Sequence, residues 1–129
     1  MTRFTLKKHE RLKSKVLLDK LFVEGKSDFC YPLKILVAQK QLESDSDWPL
    51  LFSVSVPKKK IKSAVRRNLV KRRVREAYRL NKNDIQAKLL EFKKKQIYLM
   101  FIYIEKEPKD YAIIEKAVIK LLSKLASNI

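Results

Sequence analysis

The stretch Leu50–Leu80, LLFSVSVPKKKIKSAVRRNLVKRRVREAYRL, passes from a strand pattern to a helix pattern across a short lysine-rich turn. Leu50, Phe52, Val54 and Val56 point one way, and Leu51, Ser53 and Ser55 the other, as in a half-buried strand. Pro57 ends that strand because it has no N–H to give to a ladder. Ser63 can then cap a helix from about Ala64 to Leu80, its hydroxyl accepting from a free first-turn amide. From Lys58 to Arg79 eleven of the twenty-two residues are Lys or Arg, and only Glu76 is acidic. A core cannot hold that charge, so the stretch faces a polyanion or solvent.

A helical wheel at about 100° per residue sorts the side chains. Arg67, Asn68, Lys71, Arg72, Arg75 and Arg79 fall within one arc of about 140°. Leu69, Val70, Val74, Ala77 and Leu80 occupy the opposite arc, which is expected to pack on a sheet. Arg66 and Arg73 fall inside the apolar arc, where their stems must snorkel round its edge. Arginine is informative here, because its planar fork bonds phosphate oxygens in pairs where lysine acts as a point charge.

The rest of the chain supplies a framework for this helix. Ser14 caps a helix over about Lys15–Glu24, with Leu17, Leu18, Leu21 and Phe22 on one side and Val16 and Val23 on the other. Gly25, the single glycine, is expected to end it in the left-handed conformation. Phe29–Ala38 reads as one strand, at an edge or bulged at Pro32, and forms an antiparallel hairpin with Leu50–Val56. The acidic connection between them holds Glu43, Asp45 and Asp47 and reads as an exposed loop. Asp84–Lys93 is a shorter helix. Ile97–Ile104, IYLMFIYI, is apolar without alternation, as suits a central strand covered on both faces. Pro108 and Asp110 introduce a last helix, with Ile114, Val118, Leu121 and Leu125 as its core stripe. Met1–Lys13 reads as an extended arm with Phe4 and Leu6 as anchors. The order is helix, two strands, long basic helix, short helix, strand, helix. That is one α/β layered domain over residues 1–129.

Composition narrows the function. The 129 residues carry 31 Lys and Arg against 14 Asp and Glu, a formal charge of +17. Self-repulsion of that size in a small domain is relieved by a polyanion, with nucleic acid foremost. No segment approaches the ~18 apolar residues of a membrane span, so no membrane partner is expected. One cysteine, Cys30, excludes an internal disulfide and suits the cytoplasm. Cys30 reads as a small buried hydrophobe. One histidine, His9, and one cysteine leave no zinc site, no Cys/His pair and no catalytic triad, so no catalytic residue and no metal ligand is assigned.

The spacing of Ala64-Val65, Arg67-Asn68, Lys71-Arg72 and Arg75-Glu76 resembles the signature of the bacterial ribonuclease P protein family. Arg11-Leu12 before the first helix, Phe22 and Gly25 within and after it, and Ser53-Val54-Ser55-Val56 running into Lys58-Lys59 agree with that likeness, which covers nearly the whole chain. Two positions depart from the family pattern. Lys62-Ser63 stands where a glycine-asparagine pair is common, and Leu18 where an aromatic is common in the first helix.

The resemblance implies an α/β sandwich similar to a ribosomal-protein domain, with a left-handed βαβ crossover. It implies a non-catalytic subunit that binds a catalytic RNA and helps it remove the 5′ leader from precursor tRNA. Mg²⁺ then belongs to the holoenzyme and is bound mainly by the RNA. Arg67, Asn68, Lys71, Arg72, Arg75 and Arg79 would grip the catalytic RNA, and Lys58 and Lys59, RNA-binding residues at the strand-to-helix turn, could serve either this surface or the leader cleft. Leu18, Phe22, Lys34 and Leu36 would line a cleft for the single-stranded leader, combining cations with apolar and aromatic platforms. A structural RNA-binding protein of ribosomal type shares the charge and much of the fold, and only the spaced motif argues against it. A DNA-binding regulator would need a dimerisation element such as heptads, and none is present, so no DNA partner is expected.

Overall fold

The computed structural model describes residues 8–41, 48–92 and 95–128. Residues 1–7, with Phe4 and Leu6, and the acidic connection with Glu43, Asp45 and Asp47 lie outside them. Among the described residues nine elements follow in order: a 3-10 turn Lys8–Glu10, α1 Lys15–Glu24, β1 Lys26–Cys30, β2 Leu33–Gln41, β3 Leu50–Ser55, α2 Ala64–Asn81, α3 Asn83–Phe92, β4 Lys95–Tyr103 and α4 Tyr111–Ser127. The four strands form one sheet in the order β1-β2-β4-β3. β3 runs parallel to β4, and the other neighbours are antiparallel.

β4 explains the order. Its side chains are buried on both faces almost throughout, so it takes an interior place between β2 and β3. The expected hairpin of β2 with β3 is therefore not formed, since β4 lies between them. The connection from β3 to β4 is a crossover carrying α2 and α3, as parallel neighbours require.

The single strand expected over Phe29–Ala38 is also two. The chain reverses at Tyr31-Pro32, whose peptide is cis, and Cys30 pairs with Leu33. Leu33 and Ile35 reach the core as their alternation requires, while Phe29 and Tyr31 are about half exposed. Proline fixes φ and removes a donor, so the alternation across it belongs to two strands of a hairpin. Cys30 is half-buried against the core.

One sheet face carries Leu33, Ile35, Leu50, Phe52, Ile97, Leu99 and Phe101 against α2, α3 and α4. Phe52 of β3 stacks on Tyr78 of α2, with ring centroids 4.1 Å apart and planes 13° from parallel, and so anchors the long helix over the sheet edge. On the opposite face α1 packs Leu21, with Leu17 and Leu18, over Leu36, Tyr98 and Met100. The α/β layering expected from the sequence is thus formed, with α1 crossing the sheet on the face opposite the other helices.

Ser14 and Ser63 cap α1 and α2 as expected, accepting from the amides of Leu17 and Arg66. Gly25 does not take the left-handed conformation; it is extended at φ −64° and ψ 140°. Glycine is required there for a different reason, because a Cβ would collide with the Leu21 carbonyl oxygen. The segment after the 3-10 turn is not a free arm. Arg11 bridges to Phe52 and the Leu12 amide donates to the Phe52 carbonyl at 2.7 Å, which covers part of the β3 edge. Glu10 forms a buried ion pair with Lys82, at the junction of α2 and α3, and the Gln86 amide lies 3.4 Å from the same carboxylate oxygen.

Candidate nucleic-acid interface

The long helix α2 presents its charge differently from the wheel. Its buried residues are Ala77, Val70, Val74 and Tyr78, an arc of about 100°. That arc is turned toward the supposed basic side, because α2 packs on α4 as well as on the sheet and buries Tyr78 against Phe52 and Phe101 of the sheet. Leu80, expected in the core, is 36% exposed.

Arg67 consequently sits beside the packing face. Its guanidinium donates to the carbonyls of Ile61 and Lys62 at 3.0 and 2.8 Å, closing the turn that leads into the helix. Arg73, on the other flank, donates to the Lys109 carbonyl and ties α2 to the loop before α4. Arg66 is exposed. Arg79 is paired with Glu76 through two nitrogens. That contact holds the Glu76 carboxyl below its ordinary range and raises the Arg79 guanidinium.

The open face that remains carries Asn68, Arg72 and Arg75, all exposed, with Lys71 half-buried at its margin. Their spacing of three and four residues makes them neighbours on one ridge. At its N-terminal end lies the turn of Lys58, Lys59 and Lys60, held by hydrogen bonds that the Lys60 and Ile61 amides donate to the Pro57 carbonyl. Ile61 is buried beneath the turn, which leaves the three lysines exposed. Hydrated guanidinium and ammonium groups on a rigid helix and turn are suited to phosphate oxygens spaced along a backbone.

The second group divides. Leu18 packs against the cluster that buries Leu36, so the first helix and β2 do bring these two together. Lys34 is two residues from Leu36 on the same sheet face and is half-buried. Phe22 lies one turn beyond Leu18 on α1 and is 59% exposed, so it is not a core residue. Val16 and Val23 are more exposed still, on the outward side of α1.

Sequence reasoning found Lys34 but passed over the neighbours that the sheet sets beside it in this cleft. Phe29, Lys34, Ile102 and Ser55 stand opposite one another across four strands. Only the strand order reveals this row, and that order depends on β4, far away in the chain.

Other chemistry is sparse. His9 packs edge-on against Trp48, with centroids 4.7 Å apart. Among the described residues no three His, Cys, Asp or Glu side chains come together as metal ligands. No helix among them is long and apolar enough to cross a membrane.

Comparisons with known proteins agree with the motif. The family model for Ribonuclease P matches residues 6–126. The chain is 38% identical over 131 residues to the ribonuclease P protein component of Porphyromonas gingivalis strain W83, covering 98% of this chain and 90% of that one. It is 38% identical over 87 residues to that of Syntrophus aciditrophicus, covering 67% and 68%. Among solved structures, the RNase P protein of Thermotoga maritima superposes with a TM-score of 0.64 at 28% identity, covering 89% of this chain and 96% of that one. That of Staphylococcus aureus superposes with a TM-score of 0.68 at 18% identity, covering 90% and 94%, a likeness of fold.

Proposed function

Because the chain belongs to the ribonuclease P protein family, we propose that it binds the catalytic RNA of that ribonucleoprotein through α2 and the leader of precursor tRNA through the α1 cleft. It is a protein component of ribonuclease P, acting in tRNA 5′ processing. The observation that carries the finer reading is the continuity of two unlike surfaces. An arginine ridge suited to phosphates runs through the Lys58–Lys59 turn to β3, and the same sheet carries a half-open apolar cleft under α1.

The two surfaces have different chemistry. Asn68, Arg72 and Arg75 supply donors on a rigid helix, which suits a folded RNA whose phosphates are fixed in space. Leu18, Phe22, Lys34 and Leu36 combine a cation with apolar area, which suits an unpaired strand with exposed base faces. Arg67 serves the turn that aims the lysines and so contributes by positioning, and Arg79 is shared with Glu76. Bond cleavage, with its Mg²⁺, is left to the RNA. This chain holds, orients and screens charge.

Reconstitution tests the reading. The protein is mixed with a bacterial ribonuclease P RNA at low Mg²⁺ and given precursor tRNA, and 5′ cleavage is expected to rise. Folded protein that produces no gain would refute the assignment. Replacing Arg72 and Arg75 together by alanine should weaken binding to the catalytic RNA and flatten its salt dependence by up to roughly 0.7–0.9 per lost phosphate contact. An unchanged slope removes both residues from the interface.

A further inference from the structure

One exposed aromatic ring beside the cleft has no part in either core. Phe29 on β1 stands directly opposite Lys34 on β2, so the two side chains share a sheet face. That face is the one α1 covers, because Leu36, two residues from Lys34, packs beneath α1. Phe29 nevertheless remains 54% exposed. Its backbone is held on an otherwise open edge: its amide donates to the Asp28 carboxylate at 2.7 Å, and Asp28 lies 3.6 Å from the Lys124 ammonium.

From Phe29 the cross-strand row passes through Lys34 and Ile102 to Ser55, and the chain then turns into Lys58. Strand spacing makes this row about 14 Å long. It therefore offers a ring, an ammonium, an aliphatic floor and a hydroxyl in line, ending at the basic turn. Leu18 and Leu36 give the cleft apolar area but no π face, and the ring of Phe22 stands on α1 rather than on the sheet. A phenyl ring beside a lysine gives both, a stacking platform for a base with a cation for the phosphate next to it.

Resting on the reading of the α1 cleft as the leader site, we infer that Phe29 stacks on an unpaired base of the leader while Lys34 contacts the adjoining phosphate. The leader then lies along this row, between the Lys58 turn and the β1 edge. Sequence tolerance follows, since every base has a face on which a ring can stack.

The test uses the reconstituted holoenzyme and compares its affinity for leader-bearing precursor with that for mature tRNA. Phe29→Leu keeps apolar bulk and removes the ring, whereas Phe29→Tyr keeps the ring. Phe29→Leu is expected to weaken precursor binding selectively, by roughly fivefold or more, and Phe29→Tyr to restore it. A smaller or unselective loss in Phe29→Leu, or an equal loss in Phe29→Tyr, overturns the inference. Phe22→Ala separates the two levels of failure. If it is leader-selective while Phe29→Leu is not, Phe29 has no stacking role. If neither is selective, the cleft is not the leader site and the inference falls with it.

Discussion

Removing either partner of the Glu10–Lys82 pair should destabilise the protein far more than removing both. The two side chains are 4% and 3% exposed, so neither charge keeps its hydration in the folded state. Glu10 comes from the 3-10 turn and Lys82 from the end of α2, seventy-two positions later, so their contact exists only in the folded chain. Breaking a buried pair from one side typically costs about 3–5 kcal/mol, because the survivor is left in a poorly solvating place. Glu10 retains the Gln86 amide at 3.4 Å, which places Lys82→Met toward the lower end of that range. For a chain of this size each kcal/mol corresponds to about 4 °C in Tm, so either single variant should melt roughly 12–20 °C lower. The double variant Glu10→Leu with Lys82→Met replaces two charges by apolar bulk and should lie within about 2 kcal/mol of the wild type, on either side. Urea unfolding of the four proteins gives the coupling energy as a double-mutant cycle. Burial also makes the coupling nearly independent of salt, unlike that of an exposed pair. Single-variant losses that simply add in the double variant would refute the reasoning.

Two further outcomes are expected. Gly25→Ala should lower stability by about 1–3 kcal/mol, since the new methyl meets the Leu21 carbonyl oxygen; a thermal melt unchanged from wild type would show that the α1–β1 junction relaxes freely. At alkaline pH the phenols of Tyr31 and Tyr111 are pushed up to about 12, Tyr31 chiefly by its hydrogen bond to Glu105 and Tyr111 chiefly by burial, while burial also raises Tyr78. The folded state therefore holds protons that an unfolded tyrosine loses near pH 10, so stability should fall as pH rises from about 10 to 12. Absorbance at 295 nm with unfolding followed in parallel checks this, and ordinary tyrosine titration in the folded protein would contradict it.

Much of this molecule is local and was legible without coordinates. Ser14 and Ser63 cap α1 and α2 because the hydroxyl and the free amide it serves lie three residues apart. The unbroken apolar run in β4 announces a strand with no exposed face. The density of cation around α2 and the spacing of Arg67-Asn68, Lys71-Arg72 and Arg75 identify an RNA-binding family before any contact is known.

Tertiary packing explains the differences. A glycine after a helix is expected in the left-handed conformation, whereas at Gly25 the constraint is a carbonyl one turn back. The wheel was centred on residue type, but α2 answers to two packing partners, α4 and the sheet, and rotates to bury Tyr78 against Phe52. That rotation removes Arg67 from the open face and leaves Asn68, Arg72 and Arg75 on it.

What the sequence by itself determined is the four α-helices, the strands β3 and β4, the charge and the family, because hydrophobic period, capping and motif spacing act within a few residues. What only the tertiary structure decided is which residues share a surface. β4 enters between β2 and β3 and so aligns Phe29, Lys34, Ile102 and Ser55 into one row. The apolar run of β4 marks it as an interior strand, but which strands flank it is settled by packing between distant segments, and no local pattern carries that information.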